Sequence, residues 1–232
     1  LFFYDLNGKV NWRINQNNRV FLSAYTGRDI FGTGDLFEMG YGNQTVTARW
    51  NHLFGERYFS NFIFIYSNFD YSVGVPESAD LSFTWSARIK DYGFKNDHTF
   101  YINKNNTLRF GVASTLHEFL PAKVEVGEGT GFSGFELPTR YALESGVHVS
   151  NEQRLGSLIT MEYGIRYSHF ANVGIDTVTI YNEDYEPIGE DTYAKGDFYN
   201  MFSGFEPRFS IKYTLSENSS VKASYNRINQ YL

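Results

Sequence analysis

The feature that most constrains this fold is an alternation of apolar and polar side chains that recurs along the whole chain. In the segment 4–15 one parity is mostly apolar, with Tyr4, Leu6, Val10, Trp12 and Ile14. The other parity is polar, with Asp5, Asn7, Lys9, Asn11 and Arg13. Successive side chains of a strand point to opposite faces, so this segment has one apolar and one polar face. Because similar segments are joined by alternately short and long connections, the pattern predicts the wall of a transmembrane β-barrel.

The composition favours membrane-spanning strands over membrane-spanning helices. The mean hydropathy is −0.38, and the longest purely apolar run, residues 62–66, is far shorter than the roughly 18 residues that a spanning helix needs. Aromatic residues make up 19% of the chain, which suits pleated strands and the aromatic girdles of barrels. The chain has no cysteine, which excludes disulfides and cysteine metal sites, and its net charge of −6 argues against a nucleic-acid partner.

The alternation predicts about ten strands arranged as five hairpins. The strands are expected at 2–15, 19–29, 43–53, 58–72, 81–102, 107–119, 139–150, 157–169, 204–215 and 220–232. The short connections are expected at 16–18, 54–57, 103–106, 151–154 and 216–219. The long connections are expected at 30–42, 73–80, 120–138 and 171–203, and the last of them is expected to hold a small hairpin of its own.

The fifth predicted strand changes parity along its length. Phe83, Trp85 and Ile89 share one parity, whereas Phe94 and Phe100 lie on the other. A slip of one residue exchanges the two faces, so we expect a β-bulge near residues 91–93. A strand of about 20 residues exceeds the about 9–11 that a tilted crossing needs, so these strands are expected to project beyond the bilayer.

The sixth predicted strand allows its two faces to be assigned. The residues expected to face lipid are Leu108, Phe110, Val112 and Leu116, and those expected to face inward are Arg109, Thr115 and His117. In the predicted strands 19–29 and 58–72 both parities are apolar, so no faces are assigned there.

Two neighbouring segments near the end of the chain carry a family resemblance. Residues 204–213 (GFEPRFSIKY) and 220–227 (SVKASYNR), with further echoes at 22–29 and 163–168, resemble the barrel of TonB-dependent outer-membrane receptors. The similarity is to Bacteroidetes members that carry a carboxypeptidase-regulatory-like N-terminal domain. It implies a barrel of about 22 strands, closed by an N-terminal plug, that imports a ligand with energy from TonB.

The resemblance also implies a place for this chain and its partners. Residues 1–232 would form part of one barrel domain, in its C-terminal half, and the strand-like patterns at both ends predict an internal piece without the plug. The implied location is the bacterial outer membrane. The implied partners are outer-membrane lipid, TonB acting through the plug, an extracellular nutrient such as a siderophore, glycan or peptide, and in some members a surface lipoprotein that covers the barrel.

Charged residues on the polar parity are the candidates for a lumenal surface that contacts the plug. They are Arg88, Lys90, Arg109, Glu206, Arg208 and Lys212. The alternative interpretation is a ladder of cross-strand charges without a specific partner. Pro207 cannot donate to a sheet ladder, so its position predicts a local irregularity between Glu206 and Arg208.

The long connections hold three aromatic candidates for ligand contact, Phe132, Phe135 and Tyr185. No metal site is predicted, because the five histidines are scattered over separate strands and the acidic run at 183–191 lacks the spacing of an EF-hand. Neither a cofactor site nor a catalytic constellation is expected, so the chain is not predicted to be an enzyme.

Three other functions stay open at this point. A complete ten-stranded outer-membrane enzyme, such as a surface protease, would use His117, Glu118 and His169 near the loop ends. A passive porin would share the wall without the plug. A soluble β-rich binding module is the third, but strands of globular domains usually run about 3–10 residues, shorter than those predicted here.

Overall fold

The computed structural model describes residues 1–34, 36–76, 82–127, 131 and 133–231, and there the chain forms β-strands. The first six are β1 (Phe2–Arg13), β2 (Asn18–Thr33), β3 (Phe37–Gly55), β4 (Tyr58–Val75), β5 (Phe83–Asn103) and β6 (Asn106–Val126). The next are β7 (Phe135–Glu136), β8 (Arg140–Leu155), β9 (Ile159–Val173), β10 (Asp176–Tyr181), β11 (Pro187–Tyr193), β12 (Phe198–Ser216) and β13 (Ser219–Asn226). Within the described residues, no helix has the length and apolar character to cross a membrane.

The strands form one long antiparallel meander. Their order in the main sheet is β1-β2-β3-β4-β5-β6-β8-β9-β12-β13, and β7 pairs with β6 outside this path. Along this path each strand is antiparallel to its neighbours, and the chain passes from one to the next through a hairpin or a longer connection. This architecture confirms the predicted all-β barrel wall and the predicted number of about ten strands.

One end of the sheet carries the tight turns, and we call it the turn side. Turns at 14–17, 56–57, 104–105 and 217–218 confirm four of the five predicted short connections. The fifth prediction, at 151–154, was wrong because β8 continues to Leu155 and the chain turns at 156–158, where Gly156 has φ +63°. A positive φ of this kind is a conformation that glycine adopts without steric cost.

The opposite end is the loop side, and there the strands are longer than predicted. The predicted loop at 30–42 was wrong, because β2 runs to Thr33 and β3 begins at Phe37, with Ile30 paired to Gly40. Gly40, within the predicted loop, is instead buried in β3, where a Cβ would lie 3.3 Å from the Ser72 hydroxyl. The other loop-side connections also shorten, because β4 reaches Val75 and β6 reaches Val126.

The predicted bulge at residues 91–93 was wrong. The pairing of β4 with β5 runs without a shift from Tyr58 opposite Phe100 to Val75 opposite Phe83. The irregularity lies instead between Ser86 and Arg88, where the pairing with β6 skips two residues of that strand, at 121–122. The change of parity in β5 therefore needs a different explanation.

That explanation is an exchange of polarity between the two faces of the sheet. We name these faces after one residue each, the Arg109 face and the Val112 face. In β5, on the turn side of Asp91, the Arg109 face is polar and the Val112 face is apolar. On the loop side of Asp91 the reverse holds: Ile89 and Phe119, which are paired, lie on the Arg109 face, whereas Lys90 and its partner Glu118 lie on the Val112 face. A strand that leaves the hydrocarbon layer exchanges lipid for water on its outward face, so no bulge is needed.

The two faces continue across the sheet because the register is almost unbroken. The Arg109 face includes Lys9, Thr47, Asp97, His148, Arg166 and Glu206. The Val112 face includes Val10, Leu22, Ala48, Phe64, Phe94, Val147 and Phe205. The separation predicted for the sixth strand is confirmed, and β2 and β4, which the sequence left unassigned, acquire faces from their partners.

The apolar part of the Val112 face has the height of a membrane. In β5 it extends from Tyr92, next to the charged Lys90, to Ile102 near the turn side. Ten residues from 92 to 102 cover about 33 Å along a strand at about 3.3 Å per residue. At a tilt of about 45° this corresponds to about 23 Å, close to the apolar band of about 25 Å in outer-membrane barrels.

Two polar side chains within this apolar band satisfy each other. His98 Nε2 lies 2.6 Å from Asn96 Oδ1, and His98 Nδ1 lies 2.9 Å from the Tyr58 hydroxyl. The His98 ring is also stacked on Phe110, with centroids 4.9 Å apart. Hydrogen-bonded polar groups cost much less in an apolar layer than unpaired ones, which explains why they are tolerated here.

Pro207 does not cause the irregularity that its position predicted. It pairs with Ile165 in an unshifted stretch of β12, and its carbonyl accepts a hydrogen bond of 3.1 Å from Arg227 N–H. The N and O of one strand residue point to the same side, so its missing donor faces the edge where β13 has ended at Asn226. The predicted last strand, 220–232, is therefore too long, and Leu232 lies outside the described residues.

The longest connection holds a separate hairpin, as predicted. Strands β10 and β11 form a two-stranded sheet that is not paired with the wall. The predicted connection at 171–203 shortens to 174–197, because β9 extends to Val173 and β12 begins at Phe198. The register between β9 and β12 shifts between Tyr199 and Phe202, where Asn200 has φ 47°.

Candidate functional site

A ladder of ion pairs lies on the Arg109 face of the middle wall. Arg109 donates to Glu152 over 2.9 Å and lies 3.6 Å from Glu162. Glu152 and Glu162 are directly opposite each other in β8 and β9. Two like charges in that arrangement repel, and the guanidinium between them converts the repulsion into a shared attraction.

A second cluster surrounds Glu206, whose side chain is nearly buried. Arg166 lies 3.8 Å and Arg208 3.4 Å from its carboxylate, and Ser168 donates to it over 2.9 Å. Arg166 also lies 3.6 Å from Glu144, so two carboxylates meet two guanidinium groups. A buried charge is tolerated only when it is paired and hydrogen-bonded, and Glu206 meets both conditions.

Gly146 makes room for this cluster. It is opposite Ser168 in β9, and a Cβ at this position would lie 2.9 Å from Arg166 Nε. The Arg166 guanidinium therefore lies over the glycine. A cavity of about 300 Å³ opens beside it, and its polar lining residues include His148, Ser150, Glu162, Arg166, Arg208 and Asn226.

The register divides the predicted plug-facing residues between the two faces. Arg109, Glu206 and Arg208 belong to the ion-pair ladder, and Lys212 lies on the same face of β12, opposite Thr160. The prediction that Arg88 and Lys90 share this face was wrong. They lie on the Val112 face, where they approach Glu118 to 3.7 Å and 3.0 Å, because the expected bulge between them and Arg109 is absent.

An ion pair on the charged part of the Val112 face spans three strands. Arg28 in β2 donates to Asp70 in β4 over 3.2 Å. Both residues are in register with Gly42 in β3, which lies between them. A Cβ at Gly42 would lie 3.4 Å from the Arg28 guanidinium and 3.3 Å from the Asp70 carboxylate, so the absent side chain leaves the path open.

The three predicted ligand-contact aromatics have different outcomes. Phe132 lies outside the described residues. Phe135 is in β7, where it pairs with Val124, and Tyr185 is in the turn of the β10–β11 hairpin, 87% exposed and with φ 62°. Phe135 and Tyr185 thus belong to separate elements, and whether either contacts a ligand stays a prediction.

The residues of the enzyme alternative do not converge. His117 is on the Arg109 face, bound to Asp91 over 2.8 Å. Glu118 and His169 are on the Val112 face, by their register with Lys90 and Ser145. In the described ranges, no group of three or more His, Asp or Glu side chains is arranged to hold a metal ion.

A second cavity, of about 470 Å³, lies at the loop side of the Arg109 face. Phe69, Ile89, Phe119 and Arg140 follow one another in register across β4, β5, β6 and β8, and all four line it. The lining also includes Tyr71, Arg88, Asn172 and Tyr199. We call this space the loop-side cavity.

The base of the β10–β11 hairpin is fixed beside this cavity. Tyr199 is 5% exposed, donates a hydrogen bond to Asp176 and stacks on Tyr193 with centroids 4.1 Å apart. Arg140 lies 3.5 Å from the same Asp176 carboxylate. Burial, followed by the hydrogen bond to Asp176, raises the pKa of Tyr199 to about 12, so the phenol keeps its proton at neutral pH.

Several of these residues were not predicted from the sequence. Arg166 and Glu144 lie on the polar parity of their strands, so a search for charges opposite Glu206 could have found them. Arg140, Asp176 and Tyr199 come from three different elements, and no spacing in the chain indicates that they meet.

No family model matches the chain, and no curated protein matches it. Several solved structures do. A copper transporter, OprC, superposes with a TM-score of 0.73 at 11% identity, over 99% of this chain and 39% of its own. The ferric preacinetobactin receptor BauA from Acinetobacter baumannii gives 0.68 at 11% identity, over 96% of this chain and 39% of its own. The alcaligin outer-membrane receptor FauA from Bordetella pertussis gives 0.67 at 12% identity, over 97% of this chain and 35% of its own.

The likeness extends over nearly the whole chain but over well under half of each of these proteins. At such identities it shows a shared fold, and that fold is a partial wall of an outer-membrane receptor barrel. The resemblance first seen at residues 204–213 is therefore supported at the level of the fold.

Proposed function

We propose that this chain is part of the wall of a plugged, TonB-energised importer in the bacterial outer membrane. The observation that carries the proposal is the division of one sheet into two unlike faces. The Val112 face presents an apolar band about as high as a bilayer, and the Arg109 face presents a ladder of ion pairs. The first face suits lipid, and the second suits a wet lumen.

The ion pairs of the Arg109 face would also contact the plug. Arg109, Arg208 and Lys212 keep partly exposed cationic groups on this face, and Glu162 keeps a partly exposed carboxylate. Charged hydrogen bonds from these groups hold a polar plug without making the lumen apolar. Arg88 and Lys90 take a different role in this proposal, at the outer edge of the lipid-facing band.

The likeness to solved receptors supports import rather than catalysis. The titles of the three proteins name a copper transporter and receptors for ferric preacinetobactin and alcaligin. We extend import of a scarce nutrient, such as a metal chelate, to this chain on the strength of the shared fold. The proposal includes a plug in the lumen, TonB and a surface lipoprotein as partners, and a receptor of the Bacteroidetes type.

A conductance measurement separates this function from a passive porin. The full-length protein, inserted in a planar lipid bilayer, is expected to show no steady ion conductance, because a plug closes the lumen. Deletion of the segment that precedes the barrel should open a conducting channel. Steady conductance of the intact protein would contradict the proposal and favour a porin.

Cysteine labelling tests the two faces directly, because these 232 residues contain no cysteine. Thr115→Cys and Val112→Cys lie on opposite faces of β6, so each is the control for the other. A water-soluble maleimide is expected to label Thr115→Cys in the intact protein in membranes and to leave Val112→Cys unlabelled. Equal labelling would contradict the assignment of the faces.

A further inference from the structure

The interior of the wall becomes apolar at its loop side, where the ion-pair ladder ends. Phe69 and Ile89 are opposite each other in β4 and β5, and Ile89 is opposite Phe119 in β6. Phe69 and Ile89 remain 39% and 40% exposed, respectively. Apolar side chains that stay exposed together on a concave or lumenal surface mark a place where something apolar binds.

These side chains line a cavity of the size of a ligand site. The loop-side cavity has a volume of about 470 Å³, and its walls are mainly aromatic and aliphatic. Sites for small molecules generally have about 300–1,000 Å³ and combine apolar walls with a few polar groups. The cavity has both properties.

Two cations line the cavity, Arg88 and Arg140, and Arg88 lies 3.7 Å from Glu118. Asn172 and Tyr199 also line it, but the Tyr199 hydroxyl is already used by Asp176. Asp176 also accepts a hydrogen bond of 2.8 Å from Thr177 N–H, so its carboxylate is occupied on both oxygens. Half of the Arg140 side chain is exposed, and in the part of the chain that the structure describes its one ionic contact is Asp176, at 3.5 Å. Most of its five N–H donors are therefore free for a ligand.

The acidic turn of the neighbouring hairpin does not offset this cation. Glu183 and Asp184 are about seven residues from Asp176 along β10, or about 23 Å of extended strand. The Debye length at physiological ionic strength is about 8 Å, so charges at the hairpin turn are screened from the cavity. Asp191 and Glu190 in β11 lie closer, opposite Val178 and Thr179, but both are exposed to solvent. Of the two cations that line the cavity, Arg88 is paired with Glu118, so Arg140 is the one with free donors.

We propose that the loop-side cavity binds an amphipathic organic anion, with an aromatic or apolar ring against Phe69, Ile89 and Phe119 and a carboxylate-type oxygen on Arg140. A planar guanidinium binds carboxylates through two parallel hydrogen bonds, which fixes the ring in the apolar part. A hydrophilic glycan fits less well, because its hydroxyl groups would find few partners on these walls. This inference rests on the proposed function, and it names the chemical class of the substrate or of the part of it that binds here.

The test uses 2-naphthoate as the anionic probe and 2-naphthamide as its uncharged counterpart. Binding of each probe to the full-length protein in amphipol is measured by equilibrium dialysis. We expect saturable binding of 2-naphthoate that is at least tenfold tighter than that of the amide. Phe119→Ser should weaken both probes about tenfold, whereas Arg140→Gln should weaken only 2-naphthoate, to the level of the amide.

Two further variants guard against a purely structural effect. Ile65→Ser changes the same face of the same strand as Phe69 but lies outside the cavity, so it should leave both affinities unchanged. Arg140→Lys keeps the charge and should therefore keep part of the preference for 2-naphthoate. If Arg140 acted only by holding the hairpin through Asp176, this variant would not keep that preference.

Several results would overturn the proposal. These are the absence of saturable 2-naphthoate binding, equal affinities for acid and amide, or equal losses in Ile65→Ser and Phe119→Ser. Competition by maltopentaose as strong as that by 2-naphthoate itself would assign the cavity to a hydrophilic ligand instead. Dialysis does not depend on TonB or on a closed lumen, so a closed, plugged protein that fails to bind 2-naphthoate would contradict the cavity proposal alone.

Discussion

The parts of the wall on either side of Lys90 use the same strands but opposite chemistry. Towards the turn side, apolar residues cover the Val112 face and ion pairs cover the Arg109 face. Towards the loop side, Lys90 and Glu118 pair on the Val112 face, whereas Ile89 and Phe119 lie on the Arg109 face. The backbone pairing of β4 and β5 is the same in both parts, so the surroundings of each face, and not the register, decide which residues it carries.

The strongest test of this comparison is a charge in the apolar band. Val112→Arg is expected to destabilise the intact barrel by about 2–4 kcal/mol, because it forces a cation into hydrocarbon. Thr115→Arg, on the opposite face of the same strand, should cost much less because it meets water. The two free energies of unfolding are measured in lipid vesicles, and equal values would refute the facing assignment.

The next largest effect is expected at the buried carboxylate of the ladder. Glu206→Gln should lower stability by about 1–3 kcal/mol, because Arg166 and Arg208 lose their shared charged acceptor. Lys212 lies six residues further along β12, on the same face, and is exposed. Lys212→Gln should therefore change the stability by less than about 0.5 kcal/mol. Urea unfolding in vesicles measures both, and a comparable loss in the two variants would show that the cluster adds nothing specific.

On the loop side the corresponding ion pair should matter less. Asp70→Asn removes the negative charge that pairs with Arg28 on a partly exposed surface and is expected to cost about 0.2–1 kcal/mol. The loss should shrink further in high salt, since exposed charges are screened. A cost as large as that of Glu206→Gln, independent of salt, would mean that this part of the Val112 face is not in water.

The smallest effect is confined to the anchored hairpin and appears only at alkaline pH. The pKa of Tyr199 is raised to about 12 from an ordinary value of 10, so the folded state favours the protonated phenol. Its contribution is therefore complete below about pH 10 and is lost as the pH rises towards 12. Difference absorbance at 295 nm between the wild type and Tyr199→Phe should show one phenol that ionises near pH 12; a step near pH 10 would contradict the anchor.

The sequence predicts local features of this wall well, because the alternation is a local property. It identified the two faces of β6 and four tight turns from single strands alone. It failed where two physical causes leave the same pattern. A change of parity in β5 indicated a bulge, but an exchange of surroundings produces the same change, and the misplaced bulge put Arg88 and Lys90 on the wrong face.

The loop predicted at 30–42 was another error. Gly40 and Gly42 lie within that range, but both are part of β3, and Gly42 leaves room for a side-chain contact that passes over it. Arg140, Asp176 and Tyr199 come together because of the way β8, β10 and β12 pack. No local pattern in the sequence predicts that packing.

The ion pair that passes over Gly42 also has a kinetic consequence. Arg28 and Asp70 are 42 residues apart, and they meet only when β2, β3 and β4 have all reached their final register. A contact of this kind forms late in assembly, so its removal should accelerate unfolding and leave the rate of folding nearly unchanged. The pair would then slow the separation of three strands that are already paired, without speeding their initial pairing.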